Sequence, residues 1–455
     1  MSERKIFYRT ALTVAAPIIA QNLISTLVSS ADTVMLGYVS QDAMSASSLA
    51  NQLQFVMMMA MYGLSAAASV LASQYWGRKD TDTIERVLGL GLRFAVGIAA
   101  VFAVLAIGFP RLVMRCFTPD EAIIREGVTY LRIIGFSYVF VAVSQVYVAV
   151  VRSVEKVVMP TLVYALSLVI NVSMNATFIF GLFGAPKLGL VGVALGTVTA
   201  RVSEVVVCLL YARYGRAVRL RAKYLFARAG VLMKDFLSVS LPSLVNDVAW
   251  SLAASMYSVV MGHLGSDVVA ANAVAAMAVN IGAMVCRGFA SGATIVVSKP
   301  LGAGDRETAK RYGSRMLRLC IGFGVLSMLV IWALIPAMRA VYAGKLSETA
   351  LTLLGGMVIL RGVQLVGENI NTCLICGCFR AGGDAKFGMV LDLCYMWLVE
   401  VPLLLIAAFV IKLPTMWVYA VICFDEFGKM TPAVMHYLSF KWLNDITRDK
   451  EELGA

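Results

Sequence analysis

The chain has 455 residues, 60% of them hydrophobic and 15% charged. Soluble globular proteins carry about 25% charged residues, so the composition excludes a disordered chain, a disulfide scaffold and an ordinary soluble enzyme, and leaves a polytopic α-helical membrane protein. The 39 basic residues against 27 acidic ones give a net charge of +12, an excess that such a protein places in loops on one side of the membrane rather than against nucleic acid.

In chain order, Met1 to Thr10 carries Arg4, Lys5 and Arg9 and runs into a full-length apolar stretch with no small-residue cleavage pattern. It reads as an uncleaved first helix rather than a removable signal. A membrane-crossing helix needs roughly 20 mostly apolar residues, and twelve such stretches follow: 12–38, 50–75, 88–110, 127–150, 160–182, 188–212, 236–261, 270–298, 315–340, 350–375, 386–411 and 414–440. Short polar joints separate them, such as Trp76-Gly77-Arg78-Lys79-Asp80 and Gly302-Ala303-Gly304-Asp305-Arg306. Pro17, Pro242, Pro402 and Pro432 fall inside spans, where neighbouring helices can satisfy the carbonyls they free.

With the N-terminus placed inside, the inner loops hold Arg78, Lys79, Arg152, Lys156, Arg306, Lys310, Arg380 and Lys386, together with the run from Arg213 to Lys234. The outer loops hold fewer basic residues, among them Arg111, Lys187, Arg339, Lys345 and Lys412. The positive-inside rule then predicts a multi-pass plasma-membrane protein with both termini in the cytoplasm. The expected organisation is an N-lobe over 1–212, a basic cytoplasmic linker over 213–235 able to touch anionic lipid heads, and a C-lobe over 236–455.

The nine cysteines lie mostly in apolar stretches and read as reduced packing residues. Cys373, Cys376 and Cys378 lack a second ligand pair, so no metal site is expected. No P-loop pattern occurs, so ATP is not expected to drive this protein directly.

The strongest signal is self-similarity. Shifting the chain by 225 residues lays Pro17 on Pro242, Gly37 on Gly262, Asp42 on Asp267 and Gly63 on Gly288. It also lays Gly77 and Asp80 on Gly302 and Asp305, and Arg86 and Arg93 on Arg311 and Arg318. Two unrelated greasy stretches would match at Leu and Val, not at glycines and loop charges. Six spans separate the copies, an even number, so both halves share one membrane orientation. The predicted fold is an all-α membrane protein of twelve transmembrane helices in two six-helix lobes related by a pseudo-twofold axis. In secondary transporters such parallel repeats frame a central site reached by rocking of the lobes.

Five motifs recur in order along the helices: Pro17 with Asp32-Thr33-Val34-Met35-Leu36-Gly37, then Gln74-Tyr75-Trp76-Gly77, then Asn171-Val172-Ser173-Met174-Asn175 with Ile179-Phe180-Gly181. Leu301-Gly302-Ala303-Gly304-Asp305 and Arg380-Ala381-Gly382-Gly383-Asp384 complete the set. In these motifs the chain resembles the multidrug and toxic compound extrusion (MATE) transporters. The resemblance implies two six-helix lobes around a central cavity. It also implies export of organic compounds driven by inward H⁺ or Na⁺, with the first-helix Asp32 as the coupling acid.

A charge at the bilayer centre costs roughly 2.5–3.5 kcal/mol on insertion scales, so each intramembrane charge is a functional candidate. Asp32 leads: a lone carboxylate in an apolar helix is costly to keep ionised, so its state depends on a bound proton or Na⁺. Asn171 and Asn175, four apart on one helix face, are placed beside it as ion-coupling partners. Glu368, Glu204 and Asp392 are candidates for the substrate cavity or a second ion site. Met57 and Met61 are candidates for an adaptable hydrophobic lining. Arg201 with Glu204, Asp425 with Lys429, and Arg361 with Glu368 are spaced to pair along their helices, while Asp392 and Glu400 have no evident partner in the sequence.

The function expected is a secondary active transporter exporting organic, cationic or amphipathic compounds by antiport with H⁺ or Na⁺. The alternative is a lipid-linked precursor flippase of the same superfamily, which would favour a strongly cationic cavity. A membrane enzyme is not expected, because every loop is too short to hold its reactive groups. The expected partners are small organic substrates and membrane lipids, with no nucleic acid, no cofactor beyond the coupling ion, and a monomeric state.

Overall fold

The structure, a computed structural model, describes residues 3–215, 218–226, 230–344, 346–449 and 452. Arg216 and Arg228 of the basic run, and Lys345, lie outside the described residues. In chain order the helices are α1 (Glu3–Gly37), α2 (Gln41–Gly77), α3 (Thr81–Gly108), α4 (Pro110–Arg115), α5 (Glu121–Ile134), α6 (Ser137–Ser153), α7 (Val158–Phe180) and α8 (Leu190–Tyr214). After them come α9 (Ala222–Phe226), α10 (Gly230–His263), α11 (Ser266–Gly302), α12 (Arg306–Tyr342), α13 (Glu348–Thr372), α14 (Ala385–Cys394), α15 (Val401–Leu405) and α16 (Thr415–Leu438). Among the described residues there is no strand beyond an isolated bridge between Ala343 and Leu346.

Among the described residues, ten helical segments are long and apolar enough to cross a bilayer, and α5 with α6, bent by 49°, makes an eleventh. The twelfth expected span is α16, whose 24 residues include Asp425, Glu426 and Lys429. Those three charges keep it from reading as a simple apolar crossing. Several helices outrun the predicted spans: α2, α11 and α12 have 37 residues each. At 1.5 Å per residue that is about 55 Å, against a hydrocarbon core near 30 Å. Hydropathy sees only the part in lipid.

The joints obey helix-capping chemistry, and they carry the repeat. At the end of α2, Lys79 N–H meets the Trp76 carbonyl and Asp80 N–H meets that of Tyr75. At the end of α11, Gly304 meets Leu301 and Asp305 meets Pro300 in the same way. Glu155 with Arg152, and Lys156 with Val151, close α6 identically, as do Gly383 with Arg380 and Asp384 with Phe379. This paired 5→2 and 6→1 closure needs a left-handed residue. Gly304 adopts it at φ 81°, whereas Lys79 at φ 60° does so against its own side chain. Asp80 and Asp305 then cap the next helices by accepting the N–H groups of Thr83 at 3.2 Å and Thr308 at 2.9 Å.

The residues fall into two compact units. One joins the chain up to Ile19 with Leu241–Ile446, and the other joins Ala20–Ser240 with the tail from Thr447. We call them the C-unit and the N-unit. This division departs from the limits expected from the sequence, 1–212 and 236–455. The start of α1 belongs with the C-unit, the start of α10 with the N-unit, and Pro17 and Pro242 lie close to the two crossover points. Thr447, Arg448 and Asp449 also belong to the N-unit.

Within the C-unit, Phe7, Ala11 and Ala15 of α1 are buried against Phe289, Met316 and Cys320. Gly288 and Gly292 of α11 lie directly against Ile19 and Ala15 of α1. Lipid tails are as apolar as leucine, so close approach over small residues, here a G-x-x-x-G pair, holds such helices together. Within the N-unit, Phe236 from the start of α10 stacks on Phe94 of α3 at 5.8 Å. The basic run after α8 also docks there. Arg221 pairs with Glu85 at 2.8 Å, Arg93 donates to the Tyr224 carbonyl at 2.7 Å, and the Tyr224 hydroxyl donates to Asp82.

Candidate functional site

In the N-unit, α1 carries Asp32 little more than a turn before its end, and α7 carries Asn171 and Asn175 one turn apart on one face. Asn175 Nδ2 donates to Asp32 Oδ1 at 2.5 Å and to Asn171 Oδ1 at 3.3 Å. Asn171 Nδ2 in turn donates to Thr197 Oγ1 of α8 at 3.2 Å, and the Thr197 hydroxyl ends on the Val193 carbonyl at 3.0 Å. A continuous polar chain thus runs from α1 through α7 to α8. Both asparagines are buried, Asp32 is half-buried, and Asn175 Oδ1 has no hydrogen-bond partner. A side chain at Gly196 would collide with that oxygen, so α8 is glycine where the carboxamide passes.

Further along α8, Arg201 donates to Glu204 Oε1 at 2.7 Å, and Glu204 Oε2 accepts the Ser144 hydroxyl at 3.2 Å. Glu204 is therefore tied into a buried ion pair, as its spacing from Arg201 predicts, and the Arg201 charge also acts on Asp32. Thr197, absent from the sequence candidates, lies on the same stripe of α8 as Arg201 and Glu204, at positions i, i+4 and i+7. That periodicity is the signal that points to it. Met57 and Met61 are fully buried in α2.

The C-unit holds a second polar cluster. Lys429 Nζ lies 2.9 Å from Glu426, 3.4 Å from Asp425 and 3.7 Å from Asp392. Asn371 donates to the Glu426 carboxylate at 2.7 Å. Asp392 is thereby placed beside Lys429, which the sequence alone left unpaired with it. Glu368 is half-buried on α13 within electrostatic reach of Glu426 and Lys429. The spacing of Arg361 and Glu368 predicts a pair, but Arg361 donates instead to Gln364 at 2.7 Å and to the Tyr419 hydroxyl at 3.3 Å. A nearer partner three residues on, with a ring beside it, takes the guanidinium first.

Arg380 corrects the loop assignment. It is 3% exposed and grips Asp247 with two hydrogen bonds, at 2.6 and 3.3 Å. The Arg-Ala-Gly-Gly-Asp joint therefore turns its arginine inward. Glu400, Glu426 and Lys429 belong to the intramembrane charges that the sequence singles out, whereas Asn371 does not; the sequence does not show that Asn371 meets Glu426, or Asp392 meets Lys429, across two helices.

This geometry is accompanied by likeness to known proteins. The MatE family model matches the chain twice, over residues 17–177 and 242–406. The matches begin on the two equivalent prolines, so the internal duplication is the family's own. The probable multidrug resistance protein YoeA of Bacillus subtilis is 23% identical over 411 residues, covering 89% of this chain and 87% of its own length. The probable multidrug resistance protein NorM of Pseudomonas aeruginosa is 26% identical, covering 88% and 82%. A solved outward-facing multidrug resistance MATE family transporter superposes with a TM-score of 0.84 at 17% identity, over 95% of this chain and 96% of that one.

The two-unit helical fold and the doubled family match define a multi-pass membrane transporter rather than an enzyme. The chain belongs to the MatE family.

Proposed function

We propose that this transporter exports organic, cationic or amphipathic compounds in exchange for H⁺ or Na⁺, with Asp32, Asn175 and Asn171 as the coupling site. One observation carries the reading: a half-buried carboxylate on α1 is held by a buried carboxamide chain. An acid so placed changes charge when it gains a proton or a metal cation, and its hydrogen-bond partners feel that change on two further helices. Asn175 Oδ1, buried and unpartnered, offers an additional oxygen beside the acid. The relatives named multidrug resistance proteins support the organic substrate class, and nothing in them favours a lipid-linked precursor. The loop charges support a plasma-membrane location with both termini cytoplasmic. We read the working unit as a monomer.

In the proposed cycle, ion binding at Asp32 neutralises its charge, repacks α1 against α7 and releases substrate outside. Return to the inward state loses the ion to the cytoplasm and admits new substrate. The test is efflux of a fluorescent organic cation from vesicles under H⁺ and Na⁺ gradients imposed separately. Wild-type efflux accelerates with one of the two gradients. Asp32→Asn keeps its melting temperature within a few degrees but no longer responds. An Asp32→Asn protein that still responds fully removes Asp32 from the coupling role.

A further inference from the structure

The C-unit cluster is unlike the N-unit one, because its charges do not balance. Four carboxylates, those of Asp392, Glu400, Asp425 and Glu426, surround the single ammonium of Lys429, and all five side chains belong to residues less than 10% exposed. Lys429 bridges α14 and α16: it reaches Glu426 and Asp425 on its own helix and Asp392 on the other. One ammonium offsets one carboxylate, and Asn371 supplies a hydrogen bond to Glu426. Uncompensated charges in such a site cost several kcal/mol each, and buried acids answer by taking up protons.

Glu400 is the group with least support. It is 2% exposed, and neither of its carboxylate oxygens has a hydrogen-bond partner within 3.5 Å. Tyr257 of α10 and Asp425 of α16 face it. Asp425 Oδ1 closes no hydrogen bond within 3.5 Å either, and Asp392 Oδ1 has the Lys429 ammonium at 3.7 Å and Asn246 of α10 facing its carboxylate. The remaining ionisable neighbours do not restore the balance. Glu368 of α13 adds a further acid near Glu426, Arg380 is held by Asp247, and Tyr395 and Cys423 bring no positive charge. Arg287 of α11 and Arg361 of α13 act on Glu368. A proton neutralises a buried carboxylate without needing any further ligand.

The backbone is built for this placement. Residues Tyr395–Glu400 are wound as a π-helix, followed at once by Pro402, which cannot donate to the preceding turn. With an unbroken α-helical pitch, Asp392 and Glu400 would stand about 80° apart around the axis. The wider turns swing Glu400 back toward the face that carries Asp392. Single π-turns of this kind recur at functional sites.

We propose that Asp392, Glu400, Asp425 and Glu426 around Lys429 form a second proton-binding site, in the C-unit, with Glu400 carrying the proton. On loading, a hydronium ion gives its proton to one Glu400 oxygen, an O–H bond forms, the carboxylate loses its negative charge, and water is left behind. The site adds a second proton to the export reading above and rests on that reading only for its use in transport.

The test is infrared difference spectroscopy of the full-length protein in lipid nanodiscs, titrated from acid to alkaline buffer. In the Asp32→Asn background, which removes the first coupling acid, a protonated-carboxyl carbonyl band that titrates is expected, and it is expected to vanish when Glu400→Gln is added. Asp425→Asn, which removes a facing charge and leaves Glu400 in place, should displace the pH midpoint of that band. A band unaltered in Glu400→Gln, or an unmoved midpoint in Asp425→Asn, overturns the proposal. Failure of the export reading looks different: vesicles would not expel ethidium under either gradient, while the Glu400 band would persist.

Discussion

Asn175 sits at the junction of the N-unit network, donating to both Asp32 and Asn171. Leaving a buried donor unsatisfied costs about 1–3 kcal/mol, so Thr197→Val, which strips Asn171 of its acceptor, should lower the melting temperature by a few degrees. It should also weaken the response of efflux to the driving gradient. Gly196→Ala attacks the same junction from the other side, because its methyl group meets Asn175 Oδ1. We expect it to impair transport more than Thr197→Val, as read by efflux rates at equal protein amounts. At the joint before α12, Asp305 accepts hydrogen bonds from Thr308, which hold its carboxyl below the usual carboxylate range. A depressed carboxyl adds stability above its unfolded value and loses it as pH falls through the folded one. Asp305→Ala should therefore cost about 1 kcal/mol at neutral pH. The difference from wild type should shrink in strongly acid buffer, as thermal melts at both pH values would show.

Among the elements, α16 and the π-wound stretch after α14 depend on each other. A methyl group at Gly428 would collide with the Tyr395 hydroxyl, so Gly428→Ala should lower the melting temperature markedly. Gly97 of α3 is exposed with nothing near its Cβ position. There, Gly→Ala should be neutral or stabilising by up to about 1 kcal/mol, as helix propensity dictates. The same pair of positions shows what the sequence could and could not reveal. Polar residues at i and i+4 on a single helix, such as Asn171 with Asn175 or Asp425 with Lys429, announce their shared face through the helical period. The contact of Lys429 with Asp392 crosses between helices, and the turn of Glu400 into the cluster depends on a local change of pitch. No single-helix period encodes either. Arg361 shows the limit even within one helix: spacing allowed Glu368, but Gln364 and the Tyr419 ring were nearer.

For the molecule as a whole, the duplication was legible because it is written in glycines, caps and loop charges rather than in interchangeable apolar residues. The boundaries of the units were not. Hydropathy marks where a helix enters lipid and is silent on which neighbours it packs against, so the exchange of the starts of α1 and α10 left no trace in it. The tail returns to the N-unit through Arg448, whose guanidinium meets Asp235 at 3.1 Å and whose N–H meets the Tyr75 hydroxyl at 3.1 Å. Asp449 pairs with Arg78 at 2.9 Å. Exposed ion pairs contribute about 0–1 kcal/mol each. A chain ending at Ile446 should therefore melt only slightly below the full one, by a margin that narrows in high salt.

The exchanged helix starts also set a schedule for biosynthesis. Phe7 rests against the Tyr312 ring, which leaves the ribosome only after some three hundred further residues have been made. At about 5–20 residues per second the first helix must wait roughly 15–60 s in the translocon or the bilayer for the surface that receives it. During that interval its small-residue face is open to whatever membrane segment drifts past. A nascent-chain crosslinking experiment on the stalled first half would find that face unprotected, and on the finished chain would find it sealed.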